Sequence, residues 1–171
     1  MPGLLFHSEG PAREGIMSDN SYLKIAEAGL RPSVQRTAIY EYLYEHPVHP
    51  TVDMIYTALS PEYPTLSKTT VYNTLKAFAD HGLVQSIQIE EDKVRYDADI
   101  RPHLHFKCIR CGSVYDVFAP ENSRGIQNAH SKCCTFLPEG FITQKIQTNI
   151  WGICASCSVV PADMEQPHAE N

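Results

Sequence analysis

The chain has 171 residues, 43% of them apolar, with 20 acidic against 14 basic residues and a formal charge of −6. That is enough apolar material for one ordinary domain or two small ones, and no apolar run approaches the length of a membrane span, so a soluble cytoplasmic protein with no membrane partner is expected. The negative balance excludes a nonspecific polyanion binder: any contact with nucleic acid has to be made by a local patch.

In chain order, residues 1–17 are patternless and are read as a disordered leader. The opening MPGLLFHSEG has no basic stretch and an apolar run of only three residues, so no secretory signal is read there and an oxidising compartment is not implied. A short helix over Tyr22–Ala28 ends at Gly29, a favoured residue just past a helix. Ser33 caps a second helix whose buried stripe is Val34, Ala38, residues 39 and 40, and Leu43, and His46-Pro47 stops it. Thr51 caps a third, in which Asp53 complements the dipole and Val52, Ile55 and Leu59 form the stripe.

Ser67 caps a fourth helix that turns Val71, Leu75 and Phe78 inward and leaves Lys68, Thr69, Thr70, Tyr72, Asn73 and Lys76 on or near the outer face. Before Asp80 that face carries cations, hydroxyls and an amide but no carboxylate. After Gly82 the period changes to alternation, and Leu83–Glu90 and Lys93–Asp97 read as two strands around the acidic turn Glu91-Asp92. Helix, helix, outer-face helix and hairpin make a winged helix-turn-helix pattern over residues 18–97; a merely solvated amphipathic helix is the plain alternative for the fourth element.

Residues 98–102 form a hinge into a second unit, 103–160. There Leu104–Ile109 and Ser113–Phe118 read as strands, residues 121–134 as a helix, and Phe141–Trp151 as an alternating strand with Ile142, Ile146 and Ile150 on one side. Cys133-Cys134 reads as a pair of small apolar residues near the end of that helix. Residues 161–171 are a polar tail, expected to be disordered, in which His168 is unattached. The predicted class is therefore α+β, a winged-helix domain followed by a small α/β module that an exposed sheet edge would let dimerise.

Two Cys-x-x-Cys pairs, Cys108/Cys111 and Cys154/Cys157, bracket that module, each beside a glycine suited to a knuckle turn. Four thiolates from two separated knuckles are the recipe for a closed tetrahedral zinc site, and a zinc clip would add folding energy to a core of modest size. Disulfides are the weaker alternative. His103 and His105, two apart on a strand, share a face and can converge on one ion of iron, zinc, copper or nickel.

The stretches LRPSVQRTAIYEYL, HPTVDMIYTAL, LSKTTVYNTLKAF, HGLV and RYDADIRPHLHFKCIRCGSVYDV, in this order, resemble the ferric uptake regulator family of metal-dependent bacterial transcription factors across about residues 20–160. The resemblance implies a sensing metal, Fe²⁺ or Mn²⁺ with Zn²⁺ possible, held by His49, Asp97, His103, His105 and Asp116. It implies a homodimer repressing from a palindromic operator on double-stranded DNA, with Lys68 and Lys76 on the backbone, Tyr72 and Asn73 at base edges, and Thr69 and Thr70 beside them. Asp116, where iron-uptake regulators usually carry glutamate, and Asn73 beside Tyr72 resemble the peroxide-sensing branch, which implies oxidation of His49 or His103 by peroxide when iron is bound.

An iron- or zinc-status uptake repressor of the same family is the alternative. A further metal site common in the family is not expected, because Pro102, Leu104 and Ile146 stand where ligands would be. A hydrolytic metalloenzyme is disfavoured, since five protein ligands leave little room for substrate and no nucleophile accompanies them. The last competing class is a structural zinc protein that mediates assembly.

Overall fold

The computed structural model describes residues 18–118, 138–142 and 146–159. Four helices come first: α1 (Ser18–Glu27), α2 (Val34–Glu45), α3 (Val52–Leu59) and α4 (Lys68–Asp80). The hydroxyls of Ser33, Thr51 and Ser67 accept from the N–H of Arg36, Met54 and Thr70, so three helices start where a capping side chain satisfies an otherwise orphaned donor. α1 begins one turn earlier than the sequence suggests, and Gly29 ends it at φ 78°, with Leu30 N–H returning to the Ile25 carbonyl.

Ile25, Ile39, Leu43, Ile55, Val71, Leu75 and Phe78 are fully or almost fully buried in one core, joined by Tyr40, Leu66, Val84 and Tyr96. Val34 is not part of this stripe: it is 72% exposed, because α2 packs through residues 38–43 while its capped first turn faces solvent.

The hairpin pairs β1 (Gln85–Ile87) with β2 (Arg95–Asp97), Gln85 opposite Asp97. Both strands are shorter than expected from Leu83–Glu90 and Lys93–Asp97. Glu90 turns inward to meet Arg95 and Lys107, which removes residues 88–94 from ladder pairing.

The second unit is a mixed sheet in the order β4-β3-β5, from β3 (Leu104–Cys108), β4 (Val114–Val117) and β5 (Asn149–Gly152). A single turn, α5 (Ala155–Ser158), follows. β5 is shorter than the predicted Phe141–Trp151 strand: Phe141 and Ile142 are exposed beside a turn at Gly140, φ 85°, and among the described residues the ladder with β3 runs over 149–152, with the Thr148 carbonyl accepting from His105 N–H just before it. The predicted helix over 121–134, Cys133-Cys134, the leader and the tail with His168 lie outside the described residues. Within the described residues no helix is long and apolar enough to cross a membrane.

One face of this sheet rests on the wing. Val114 packs with Ile87 and Ile89, Lys107 reaches Glu90 at 2.9 Å, and Gln147, Asn149 and Trp151 donate to the carbonyls of Ser86, Gln88 and Ile89. Alternate positions sharing one face make this row possible.

Candidate metal centres and the outer helix

β3 and β5 run parallel, with Cys108 opposite Gly152, so both strands deliver their following knuckles to the same end of the sheet. Cys108, Cys111, Cys154 and Cys157 meet there with their sulfurs within 4.8 Å of one another, all as free thiols. Cys111 Sγ lies 3.8 Å from Cys154 Sγ. A tetrahedron of Zn–S bonds near 2.3 Å has an edge of ~3.8 Å, so the cluster fits zinc.

Its protonation pattern agrees with that fit. Backbone N–H groups of Cys111 and Cys154 facing its sulfur pull the Cys108 thiol down to about 6, whereas the adjacent Cys154 and burial push Cys157 up to about 12. Four crowded thiols cannot all ionise without a cation among them.

The second cluster draws on both units. His49 precedes α3 in a left-handed conformation, φ 51°, which is costly for a residue with a side chain. It is held there by the wing: Arg95 Nη1 donates to the His49 carbonyl at 3.1 Å, and Tyr96 N–H to Pro50 at 3.0 Å. Asp97, two residues beyond Arg95, thereby arrives beside His49. From the other unit, the antiparallel register sets Asp116 on β4 opposite His105 on β3, and His103 enters from just before β3.

All five donor atoms lie within 4.8 Å of one another. His103 Nε2 is 3.1 Å from Asp97 Oδ2 and 3.2 Å from Asp116 Oδ1, and His105 Nε2 is 3.8 and 3.9 Å from the same atoms. His49 Nε2 is 2.6 Å from Asp116 Oδ1 and 4.0 Å from Asp97 Oδ2, and the two β3 imidazoles approach to 2.9 Å. Around an ion with bonds of ~2.1 Å, neighbouring donors sit ~3.0 Å apart and opposite ones ~4.2 Å apart, close to the spread observed. Three nitrogens and two carboxylates make a borderline-to-hard set, suited to Fe²⁺, Mn²⁺ or Zn²⁺.

His103 Nδ1–H donates to the Arg101 carbonyl at 2.7 Å, which makes Nε2 the ring nitrogen aimed into the cluster. His49 Nδ1 is buried without a hydrogen-bond partner, so that ring is oriented by its backbone instead. Burial alone would raise the Asp97 and Asp116 carboxyls. The imidazoles outweigh it, holding Asp97 far below the carboxylate range and Asp116 at about 2. Burial would likewise lower His103, but Asp116 and Asp97 lift it to about 10. A proton therefore occupies the position a metal ion would neutralise. Among the described residues these are the two convergent clusters of ligand-type side chains.

On α4 the sequence-predicted residues divide. Thr69, Tyr72, Asn73 and Lys76 are exposed and follow helical spacing along one face, opposite the buried Val71, Thr74, Leu75 and Phe78. Lys68 is exposed but ion-paired to Asp53 at 2.6 Å, and Lys76 is paired to Asp80 at 2.6 Å. Thr70 is half-buried at the cap, its hydroxyl 2.8 Å from that of Ser67. The residues missed by sequence reasoning are Gln85, Glu90, Arg95 and Lys107, polar side chains of the wing and β3 that look like ordinary solvated positions until the hairpin register is known.

The profile of the ferric uptake regulator family matches residues 27–136. Peroxide-responsive repressors PerR from strains of Staphylococcus aureus, Mu50 among them, are 32% identical over 139 residues, 81% of this chain and 90% of theirs. Among solved structures, the Vibrio cholerae ferric uptake regulator superposes with a TM-score of 0.59 at 23% identity, covering 78% of this chain and 98% of that one. The Helicobacter pylori regulator Fur gives 0.61 at 19% identity over 88% and 99%.

Proposed function

The chain belongs to the ferric uptake regulator family, and from that premise we propose that it is a metal-dependent DNA-binding repressor, cytoplasmic and homodimeric, whose His49/Asp97/His103/His105/Asp116 site senses peroxide. The observation that carries the reading is that this one cluster takes His49 and Asp97 from the helical unit and His103, His105 and Asp116 from the sheet. An ion there joins the two units. Tyr96, between Arg95 and Asp97, is buried in the same core as Val71, Leu75 and Phe78, so a shift of Asp97 is felt by α4 as a rigid body.

In the closed arrangement of a dimer, two α4 helices enter successive major grooves, with half-sites ~10 bp apart or a multiple. Tyr72 and Asn73 face base edges; Thr69, Thr70, Lys68 and Lys76 serve the backbone, with Asp53 and Asp80 releasing their lysines to phosphates. Exposed Ile150, Ile153 and Val159 at the β5 end of the sheet supply apolar surface for a second copy. Moving the site from about 1% to 99% closed requires roughly 5.5 kcal/mol of metal preference for the closed form.

Support for the peroxide branch comes from the Staphylococcus aureus relatives so named, from the aspartate at 116 and from Asn73. Bound Fe²⁺ would supply one-electron reduction of hydrogen peroxide, which Mn²⁺ does not. The chain's contribution is to hold the His49 and His103 rings against that chemistry. In net terms one ring C–H becomes C–OH or its keto form, and the second peroxide oxygen leaves as water. An altered ring no longer matches the site, and the two units are released from each other.

The test of metal-dependent DNA recognition is selection from a random duplex library with Mn²⁺-loaded and with metal-free protein. A palindrome enriched only by the loaded form is expected. Equal enrichment without metal, or none with it, would overturn the reading.

A further inference from the structure

Gln85 stands on β1 directly opposite Asp97 in the hairpin register. Its amide nitrogen lies 2.6 Å from the Asp99 carbonyl and 3.1 Å from Asp97 Oδ2, and 3.4 Å from His103 Nε2. Two acceptors at hydrogen-bond distance use both protons of the amide, which assigns its orientation: the NH₂ group, not the carbonyl, faces the cluster. Asp97 Oδ1 is held separately by the Asp99 N–H at 2.9 Å. The oxygen that Gln85 touches is the one that faces the three imidazoles.

We infer that Gln85 is a positioning residue of the His/Asp site: it fixes Asp97 Oδ2 and, through the Asp99 carbonyl, ties that ligand to the hinge. The inference rests on the five-residue cluster being the sensing-metal site. Three features single out Gln85 for this role. It is neutral, so it stabilises the carboxylate without adding a competing anionic ligand. It is half-buried, which strengthens a hydrogen bond to a charged acceptor. It also links the wing to residue 99, inside the segment 98–102 that joins the two units, so the same amide that orients the ligand restrains the joint. Hydrogen-bond partners of ligating side chains commonly alter metal affinity by about 10- to 100-fold when removed.

The test compares the full-length parent chain with Gln85→Met, which keeps the length but cannot donate, and Gln85→Thr, which suits a strand but is too short to reach both acceptors. Mn²⁺ affinity is read by chelator competition, the Co²⁺ d–d spectrum reports ligand geometry, and zinc content with metal-free urea unfolding reports the fold. Both variants are expected to lose about tenfold or more in Mn²⁺ affinity and to shift the Co²⁺ bands, while zinc content stays at the parent level. Two foldable variants that bind Mn²⁺ like the parent, with unshifted Co²⁺ bands, would overturn the inference alone. A parent chain that takes up no Mn²⁺ or Co²⁺ beyond its thiolate site would overturn the functional reading and the inference with it. A loss of affinity matched by an equal loss of metal-free stability would mark Gln85 as merely structural and overturn it as well.

Discussion

Glu90→Gln removes the charge at the centre of the contact between the wing and the second sheet. Glu90 Oε1 accepts from Arg95 Nη2 at 2.8 Å and Nε at 3.2 Å and from Lys107 Nζ at 2.9 Å, and the three side chains are only 11%, 14% and 21% exposed. Burial would raise this carboxyl, yet the two cations bring it below its ordinary value, so it is ionised and the bonds are charge-assisted. Taking the charge away leaves Arg95 and Lys107 facing each other across a neutral amide. Breaking a fully buried pair costs about 3–5 kcal/mol, and the partial exposure of Lys107 reduces the expected loss to about 2–3 kcal/mol.

Lys107→Met isolates the part that crosses between the units, because Arg95 lies in the same hairpin as Glu90. Urea unfolding of the metal-free parent, both single variants and the double variant at pH 7 closes the cycle. A coupling of about 1 kcal/mol or more between positions 90 and 107 is expected. Additive effects would refute docking of the wing on the sheet through this pair, and with it the preformed approach of Asp97 to His103.

Two other outcomes follow from the same geometry. His103, raised from 6.5 to about 10, stabilises the metal-free fold fully below pH 6.5 and loses that contribution as pH rises through 10. Asp97 and Asp116, both lowered from 3.8, the latter to about 2, stabilise it above about pH 4 and lose that contribution as pH falls toward 2. Metal-free stability from this cluster therefore peaks between about pH 4 and 6.5, and Mn²⁺ affinity climbs by up to about tenfold per pH unit above it as His103 gives up its proton; a pH-independent affinity between pH 6.5 and 8 would contradict the assignment. Gly152→Ala places a methyl carbon 2.9 Å from the Phe106 ring edge, on the strand that carries the second knuckle. Because Phe106 is half-buried its ring can yield, so thermal unfolding should show a loss of about 1–3 kcal/mol with zinc retained; loss of zinc stoichiometry would mean that the strand itself is displaced.

Local chemistry made the helical half legible. A hydroxyl at each of Ser33, Thr51 and Ser67, followed by a 3.6-residue apolar rhythm, specifies where α2, α3 and α4 begin and which side they bury. The thiolate cluster was legible because two-residue spacers leave few other uses for four cysteines. What stayed hidden depends on register and on side-chain pairing at long range. The left-handed His49, the parallel alignment that sets Cys108 beside Gly152, and the placing of Gln85 against Asp97 all arise between segments far apart in sequence. The pairing of Lys68 with Asp53 stayed hidden because Asp53 lies on another helix, whereas Asp80 stands one turn beyond Lys76 on the same helix. The His/Asp cluster was read from its resemblance to a family; His103 and His105 alone supply a shared face, and the three other donors come from a loop, the wing and a neighbouring strand.

The central claim is met most directly by peptide mass spectrometry of protein loaded anaerobically with Fe²⁺, before and after brief exposure to hydrogen peroxide, beside a Mn²⁺-loaded control. One added oxygen on the peptide carrying His49 or His103, in the iron form alone, is the predicted result. Unmodified histidines in the iron form, with the metal still bound, would contradict peroxide sensing and leave an iron- or zinc-status repressor as the account of this site.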